Sequence, residues 1–190
     1  MNVYDFDKTI FDGDSTAKFY IHCLKKYPSI IALAPSLICA FLSYKVFKKK
    51  TKTQFKEIMY RFVTKIPDID KEIEIFWDEN ISGIKNFYSE TRQEDDLIIS
   101  ASPEFLIFPI CERIGIKNMM ASKVDKLTGK YSGENCHGEE KVIRFRNEYG
   151  DKEIEKFYSD SYIDTPLALI AKESYMVFGE EIKPWVFKNK

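Results

Sequence analysis

Apolar residues fall along this chain in two rhythms. From Thr16 to Arg92 they recur at helical spacing. Thr16–Lys26 places Phe19, Tyr20, Cys23 and Leu24 on one side of a helix, which Pro28 ends. Ile30–Phe47 predicts further helix with a restart near Pro35. Thr53–Lys65 and Ile69–Asn80 predict two more helices, separated by Pro67-Asp68, and Ile81–Arg92 a last one leading back to the rest of the chain. The second rhythm is short apolar runs, several ending in small polar residues. Asn2–Tyr4, Asp96–Ser100, Asn118–Val124, Lys156–Tyr158 and Tyr175–Phe178 predict strands of this kind. Helices are predicted over Glu104–Ile114, Glu139–Tyr149 and Pro166–Lys172. Lys126–Asn135, with Gly129 and Gly133, predicts a hairpin or flap.

Strands alternating with helices imply an α/β fold with a parallel sheet and right-handed crossovers. The helix-only region lies between the first and second strands and predicts an all-helical cap over that sheet. The expected division is a Rossmann-like catalytic core of residues 1–14 and 83–190, with the cap over 15–82. Ligands of open α/β sheets bind at the carboxyl ends of the strands. The unusual polar residues of this chain fall there.

Composition narrows the options. The chain is 44% hydrophobic and 31% charged with a net charge of −1, which suits a soluble globular protein and gives no overall basic field for nucleic acid. Four cysteines lack metal-ligand spacing and predict free thiols in a reducing cytoplasm. The two histidines, His22 and His137, are far apart, so a Ser-His-Asp or zinc-centred site is poorly supplied. The residues after Met1 show no basic segment followed by an apolar run, and no signal peptide is expected.

Four short segments can carry chemistry. In Asp5-Phe6-Asp7-Lys8-Thr9, Phe6 can pack while both carboxylates face one cavity. Adjacent carboxylates repel unless a cation or proton intervenes, and carboxylate plus backbone carbonyl is a ligand set that suits Mg²⁺. Ser100-Ala101-Ser102-Pro103 offers hydroxyls and free N–H groups that can hold an anion, and it equally fits a helix cap at Ser102 with Pro103 at the first helical position. Lys141 opens a helix after Gly138-Glu139-Glu140 and can balance negative charge. In Ser159-Asp160-Ser161-Tyr162-Ile163-Asp164, Asp160 can complete a metal site and Asp164 can hold Lys141, while an N-cap role suits either aspartate.

Taken in order, these segments resemble the four motifs of the haloacid dehalogenase superfamily: DFDKT, the SAS turn, GEEK and SDSYIDTP. The helical insert resembles the cap of the subgroup that contains phosphoserine phosphatase. The stretch from Cys136 to Val142 and YSDSYIDTPL are similar to a branch that includes bacterial phosphatidylglycerophosphate phosphatases. The resemblance implies a Mg²⁺-dependent phosphate-monoester hydrolase with Asp5 as nucleophile and Asp7 as general acid and base. It implies Mg²⁺ on the Asp5 carboxylate, the Asp7 carbonyl and Asp160, phosphate held by Thr9, Ser100, Ala101 and Lys141, and support from Asp164. Asp14 stands near the position where phosphoserine phosphatases carry a substrate-binding Glu, and Ile163 replaces an Asn of their last motif. A phosphotransferase and an inactive binding module are the alternatives. Tyr60, Arg61 and Lys56 are the polar candidates in the cap, unranked by sequence.

One stretch bears on partners. Ile30–Tyr44 contains no charge and is flanked by Lys25, Lys26, Lys45 and Lys48–Lys50. A buried pair of cap helices is one expectation. The other is peripheral contact with the inner face of a membrane and a lipid rather than a small-molecule phosphate as substrate.

Overall fold

The computed structural model describes residues 1–187. Six strands form one sheet in the order β3-β2-β1-β4-β5-β6. They are β1 (Val3–Tyr4), β2 (Leu97–Pro103), β3 (Asn118–Ser122), β4 (Ile154–Ser159), β5 (Ala171–Phe178) and β6 (Glu181–Pro184). All neighbours are parallel except β5 and β6. β1 is central. Val3 pairs with Leu97 on one side and Phe157 on the other, and Tyr4 pairs with Ile98 and Tyr158. The chain leaves β1 toward β2 and later returns to its other flank, so a topological switch point lies between β1 and β4.

Alternation along the strands divides the interior in two. Val3, Leu97, Ile99 and Phe157 face one core with Phe145 and Leu167. Tyr4, Ile98 and Tyr158 face the other, which continues into the helical insert through Phe11, Phe19, Phe62, Phe76 and Trp77. On that face Tyr4 stacks on Tyr158 at 4.7 Å and Tyr158 on Tyr175 at 5.1 Å, an aromatic row across three strands.

The insert holds α1 (Ser15–Lys26), a 3-10 helix (Pro28–Leu33), α2 (Ala34–Lys45), α3 (Lys52–Tyr60), a second 3-10 helix (Arg61–Lys65) and α4 (Ile69–Asn80). Pro35 sits in the first turn of α2, where its missing N–H costs nothing. Thr51 and Gln54 form a capping box at α3. Trp77 of α4 donates its indole N–H to the Leu106 carbonyl at 2.7 Å, which fastens the insert to α6 (Glu104–Arg113).

Two expectations need correction. Ile81–Arg92 is not one helix: a 3-10 turn (Ile81–Gly83) and α5 (Asn86–Thr91) flank an extended Ile84-Lys85. That backbone is used elsewhere, since Ile84 bridges Phe11 and Lys85 N–H donates to the Ile10 carbonyl at 2.8 Å. The two stems of the insert therefore run side by side. A Cβ at Gly83 would lie 2.8 Å from the Phe11 ring, so this crossing needs glycine. Pro166–Lys172 shortens to α8 (Thr165–Ala168), because Ala171 already pairs with Ile154 in the β4–β5 ladder. β6 is an addition, and its charged, proline-ended sequence is that of an edge strand. The Lys126–Asn135 flap is held by a bridge between Val124 and Tyr131. α7 (Glu139–Tyr149) has the expected limits.

Candidate active site

The carboxyl ends of β1, β2 and β4 form the floor of a cavity of about 840 Å³. Asp5 directly follows β1, and its N–H donates to the Tyr158 carbonyl at 2.9 Å. The chain then turns sharply, with Lys8 at φ 58° and its N–H on the Gly13 carbonyl. Phe6 is buried against Phe11 and Trp77, and Asp5 and Asp7 on either side of it both line the cavity.

Lys141 anchors the floor. Gly138 adopts φ 60°, open to glycine, and starts α7 so that Lys141 enters from its first turn. Its ammonium is buried and donates to Asp5 Oδ1 at 2.6 Å and to Asp164 Oδ2 at 2.7 Å. Ser159 Oγ also donates to Asp164 Oδ2, at 2.9 Å. Burial alone would lower the lysine pKa, but Asp164 and Asp5 outweigh it and hold Lys141 charged. Burial raises Asp5 to about 7, opposed by Lys141 and reinforced by Asp164.

Asp7 is held from two sides. Its Oδ1 accepts the Ser15 N–H at 2.7 Å, and its Oδ2 accepts the Ser102 hydroxyl. Burial raises its pKa, and nearby Asp14 adds to that. A carboxyl biased toward protonation is suited to giving a proton. Asp14 lines the cavity and caps α1, accepting the Ala17 N–H at 2.9 Å.

Several expected roles change. Thr9 is fully buried and does not face the cavity. It donates to Asp5 Oδ2 at 3.4 Å and accepts the Asp160 N–H at 3.0 Å, so it ties two carboxylate residues together instead of reaching phosphate. Ser100 is also fully buried behind the cavity wall, with its Oγ accepting the Ser102 N–H at 3.1 Å. Ser102 lines the cavity instead, and it is no helix cap: β2 runs through Pro103, and the hydroxyl is engaged by Asp7 and Thr16. Ala101 lines the cavity, but its carbonyl accepts Lys56 Nζ at 2.9 Å.

The roof comes from the insert. Tyr60 and Lys56 line the cavity and Arg61 does not. Lys56 Nζ also donates to Asn135 Oδ1 at 2.9 Å, and Tyr131 N–H donates to Glu57 at 3.1 Å, so α3 is docked on the flap. Burial, with Lys52 nearby, lowers Lys56 to about 8. Lys52 contacts His137 at 2.6 Å. Ser15, Lys52 and His137 were not proposed as site residues from sequence, and no local spacing could have revealed their contacts, because Ser15 Oγ reaches Ser102 87 residues on and Lys52 reaches His137 85 residues on.

Two carboxylates expected to hold a cation share the cavity. Asp5 and Asp160 line the same cavity, joined through Thr9. Burial raises the Asp160 pKa, and Asp160 forms no ion pair among the described residues. Those residues contain no ready cage of three acidic, His or Cys side chains. Mg²⁺ needs none, since it keeps several waters and uses one or two carboxylates. Asp5 and Asp160 supply the carboxylates of such a donor set.

A family model described as haloacid dehalogenase-like hydrolase matches residues 3–169. Protein CicA of Caulobacter vibrioides is 30% identical over 89 residues, which are 43% of this chain and 40% of CicA. A histidinol-phosphatase of Neisseria meningitidis serogroup C is 30% identical over 116 residues, 52% of this chain and 51% of that protein. The chain thus spans about half or less of these curated relatives. Among solved structures, a Bordetella pertussis Tohama I protein of unknown function superposes with a TM-score of 0.71 at 17% identity, covering 92% of this chain and 87% of that one. An apo phosphoserine phosphatase gives 0.54 at 16% identity, covering 90% and 82%. These two establish the fold. The relatives and structures named here do not bear on the finer resemblance to the phosphatidylglycerophosphate branch.

Proposed function

The chain belongs to the haloacid dehalogenase-like hydrolase family, and from that premise we propose that it hydrolyses phosphate monoesters through an aspartyl-phosphate on Asp5. The observation that carries this reading is the buried Lys141 bridge between Asp5 and Asp164, facing a roofed cavity at the switch point of the sheet. The Lys141 ammonium orients Asp5 and supplies the positive charge that a phosphoryl group needs there.

In the first step an Asp5 oxygen attacks phosphorus. The bond from phosphorus to the ester oxygen breaks, and Asp7 gives that oxygen its proton. In the second step water attacks phosphorus, Asp7 takes up a proton from it, and orthophosphate leaves with Asp5 restored. Ser102 and the Ser15 N–H hold Asp7 in position for both transfers. Mg²⁺ at Asp5, Asp160 and the Asp7 carbonyl would neutralise charge between the anionic ester and the carboxylates. The relative named histidinol-phosphatase supports a monoester substrate. The cap wall at Ile21, Leu37, Phe55 and Met59 suits a leaving group with an apolar portion, in a small-molecule or lipid phosphate.

The test is hydrolysis of p-nitrophenyl phosphate with and without Mg²⁺. Activity that disappears with chelator and in Asp5→Asn is expected. Turnover that survives Asp5→Asn would remove the nucleophile assignment.

A further inference from the structure

The outer face of α2 is not covered. Of the apolar residues from Ile30 to Phe47, Ile30 and Ala40 are buried, whereas Ile31, Ile38, Phe41, Leu42, Val46 and Phe47 are 41–63% exposed. This overturns the expectation of a buried helix pair. The inner strip of the same helix is occupied: Leu37 and Tyr44 line the cavity, and Tyr44 stacks on Phe55 of α3 at 5.5 Å. With 100° between successive residues, Ile38, Phe41 and Leu42 form the adjoining strip.

Charge is segregated around this face. Residues 15–56 contain nine lysines and no acidic residue, while the rest of the chain holds twenty basic and thirty acidic residues. The near-neutral total conceals a first part of the cap, residues 15–56, that carries only positive charge, against a remainder that is net negative. Lys48, Lys49 and Lys50 form no ion pair among the described residues, whereas Lys45 lies over the Tyr44 ring and lines the cavity. Of these four, Lys48–Lys50 stand clear of the cavity.

We propose that the α2 face docks on an anionic lipid bilayer, with Ile31, Ile38 and Phe47 entering the headgroup boundary and Lys48–Lys50 meeting the lipid phosphates. Apolar residues beside unpaired lysines are the surface that binds in this way. A second copy of the chain fits poorly, because self-pairing would bring the two lysine clusters together. Nucleic acid would leave the apolar strip exposed. Pro28–Lys45 has the length and composition of a membrane-crossing helix, but it is divided into a 3-10 piece and α2. Ile30 is embedded in the main core and Phe41 packs 6.0 Å from Phe55. The segment therefore lies along the surface instead of crossing it.

The test is flotation of the full chain with vesicles of equal parts phosphatidylcholine and phosphatidylglycerol, and with pure phosphatidylcholine. Binding to the anionic vesicles is expected to weaken at high salt. It should fall at least about tenfold in Ile38→Asp/Phe47→Asp and in Lys48→Glu/Lys49→Glu. None of these four residues lines the cavity, so p-nitrophenyl phosphate turnover serves as the control for folding and should not change. Asp5→Asn should float like the wild type, which separates docking from the catalytic reading. Absence of binding to anionic vesicles overturns the proposal, as does binding indifferent to both double substitutions. So do retention of polyuridylate instead of vesicles and a solution dimer that Ile38→Asp dissolves when vesicles do not bind.

Discussion

The carboxyl edge of the sheet and the outer face of α2 treat charge and apolar surface in opposite ways. At the sheet edge, Lys141 is buried between two carboxylates, each polar neighbour is tied to another, and Phe6 fills the space behind. On α2, apolar side chains meet solvent and lysines stand without acidic partners. A buried charge is costly unless paired, so the first region tolerates little change. An exposed charge costs almost nothing, so the second is free to be shaped by what it meets. The catalytic reading rests on the first region, and the docking we propose rests on the second.

Substitutions can break this contrast, and the largest effect is expected at the sheet edge. Asp5→Asn should reduce hydrolysis of p-nitrophenyl phosphate to background, on the order of 10⁴-fold or more. Asp7→Asn should lower kcat by about 10²–10⁴-fold and leave an enzyme able to be phosphorylated by an activated ester, detectable as a burst of p-nitrophenol. Lys141→Met should destabilise the fold by about 3–5 kcal/mol, measured by denaturant titration, because it leaves Asp5 and Asp164 buried without a cation. Added Mg²⁺ should recover part of that loss.

The smallest effect is the pH dependence of stability without metal. The folded pKa of Asp5, about 7, lies above its ordinary value of 3.8. The folded chain then holds this proton more tightly than the unfolded chain does. The contribution is fully present below about pH 4 and is lost as pH rises through 7. Thermal melts from pH 5 to 8 should show a decline that Asp5→Asn flattens. An unchanged slope in that variant would assign the decline to other groups.

Much of the site was legible in the chain because each chemical segment follows a strand, and strand ends converge at one edge. Asp5, Asp7, Lys141, Asp160 and Asp164 meet at one cavity as their order suggested. Thr9 and Ser100 were read as phosphate contacts because of residue type, but side-chain direction decides that role. Both point into the protein, at Asp5 and at the Ser102 backbone. Ser102 looked like a helix cap because Pro103 follows it, yet β2 continues one residue further and turns its hydroxyl to Asp7.

Local pattern determined the strands, the helices and the order of the acidic turns, since hydrophobic period and glycine or proline placement act over a few residues. It also contained the lysine-only segment, which the near-neutral composition hid. Only the tertiary structure decided which hydroxyls face the cavity, that Lys56 closes it from the roof, and that α2 keeps its apolar outer face in solvent. Those outcomes depend on contacts between residues tens of positions apart. Burial is a property of what packs on a side chain, and one segment's sequence does not contain it.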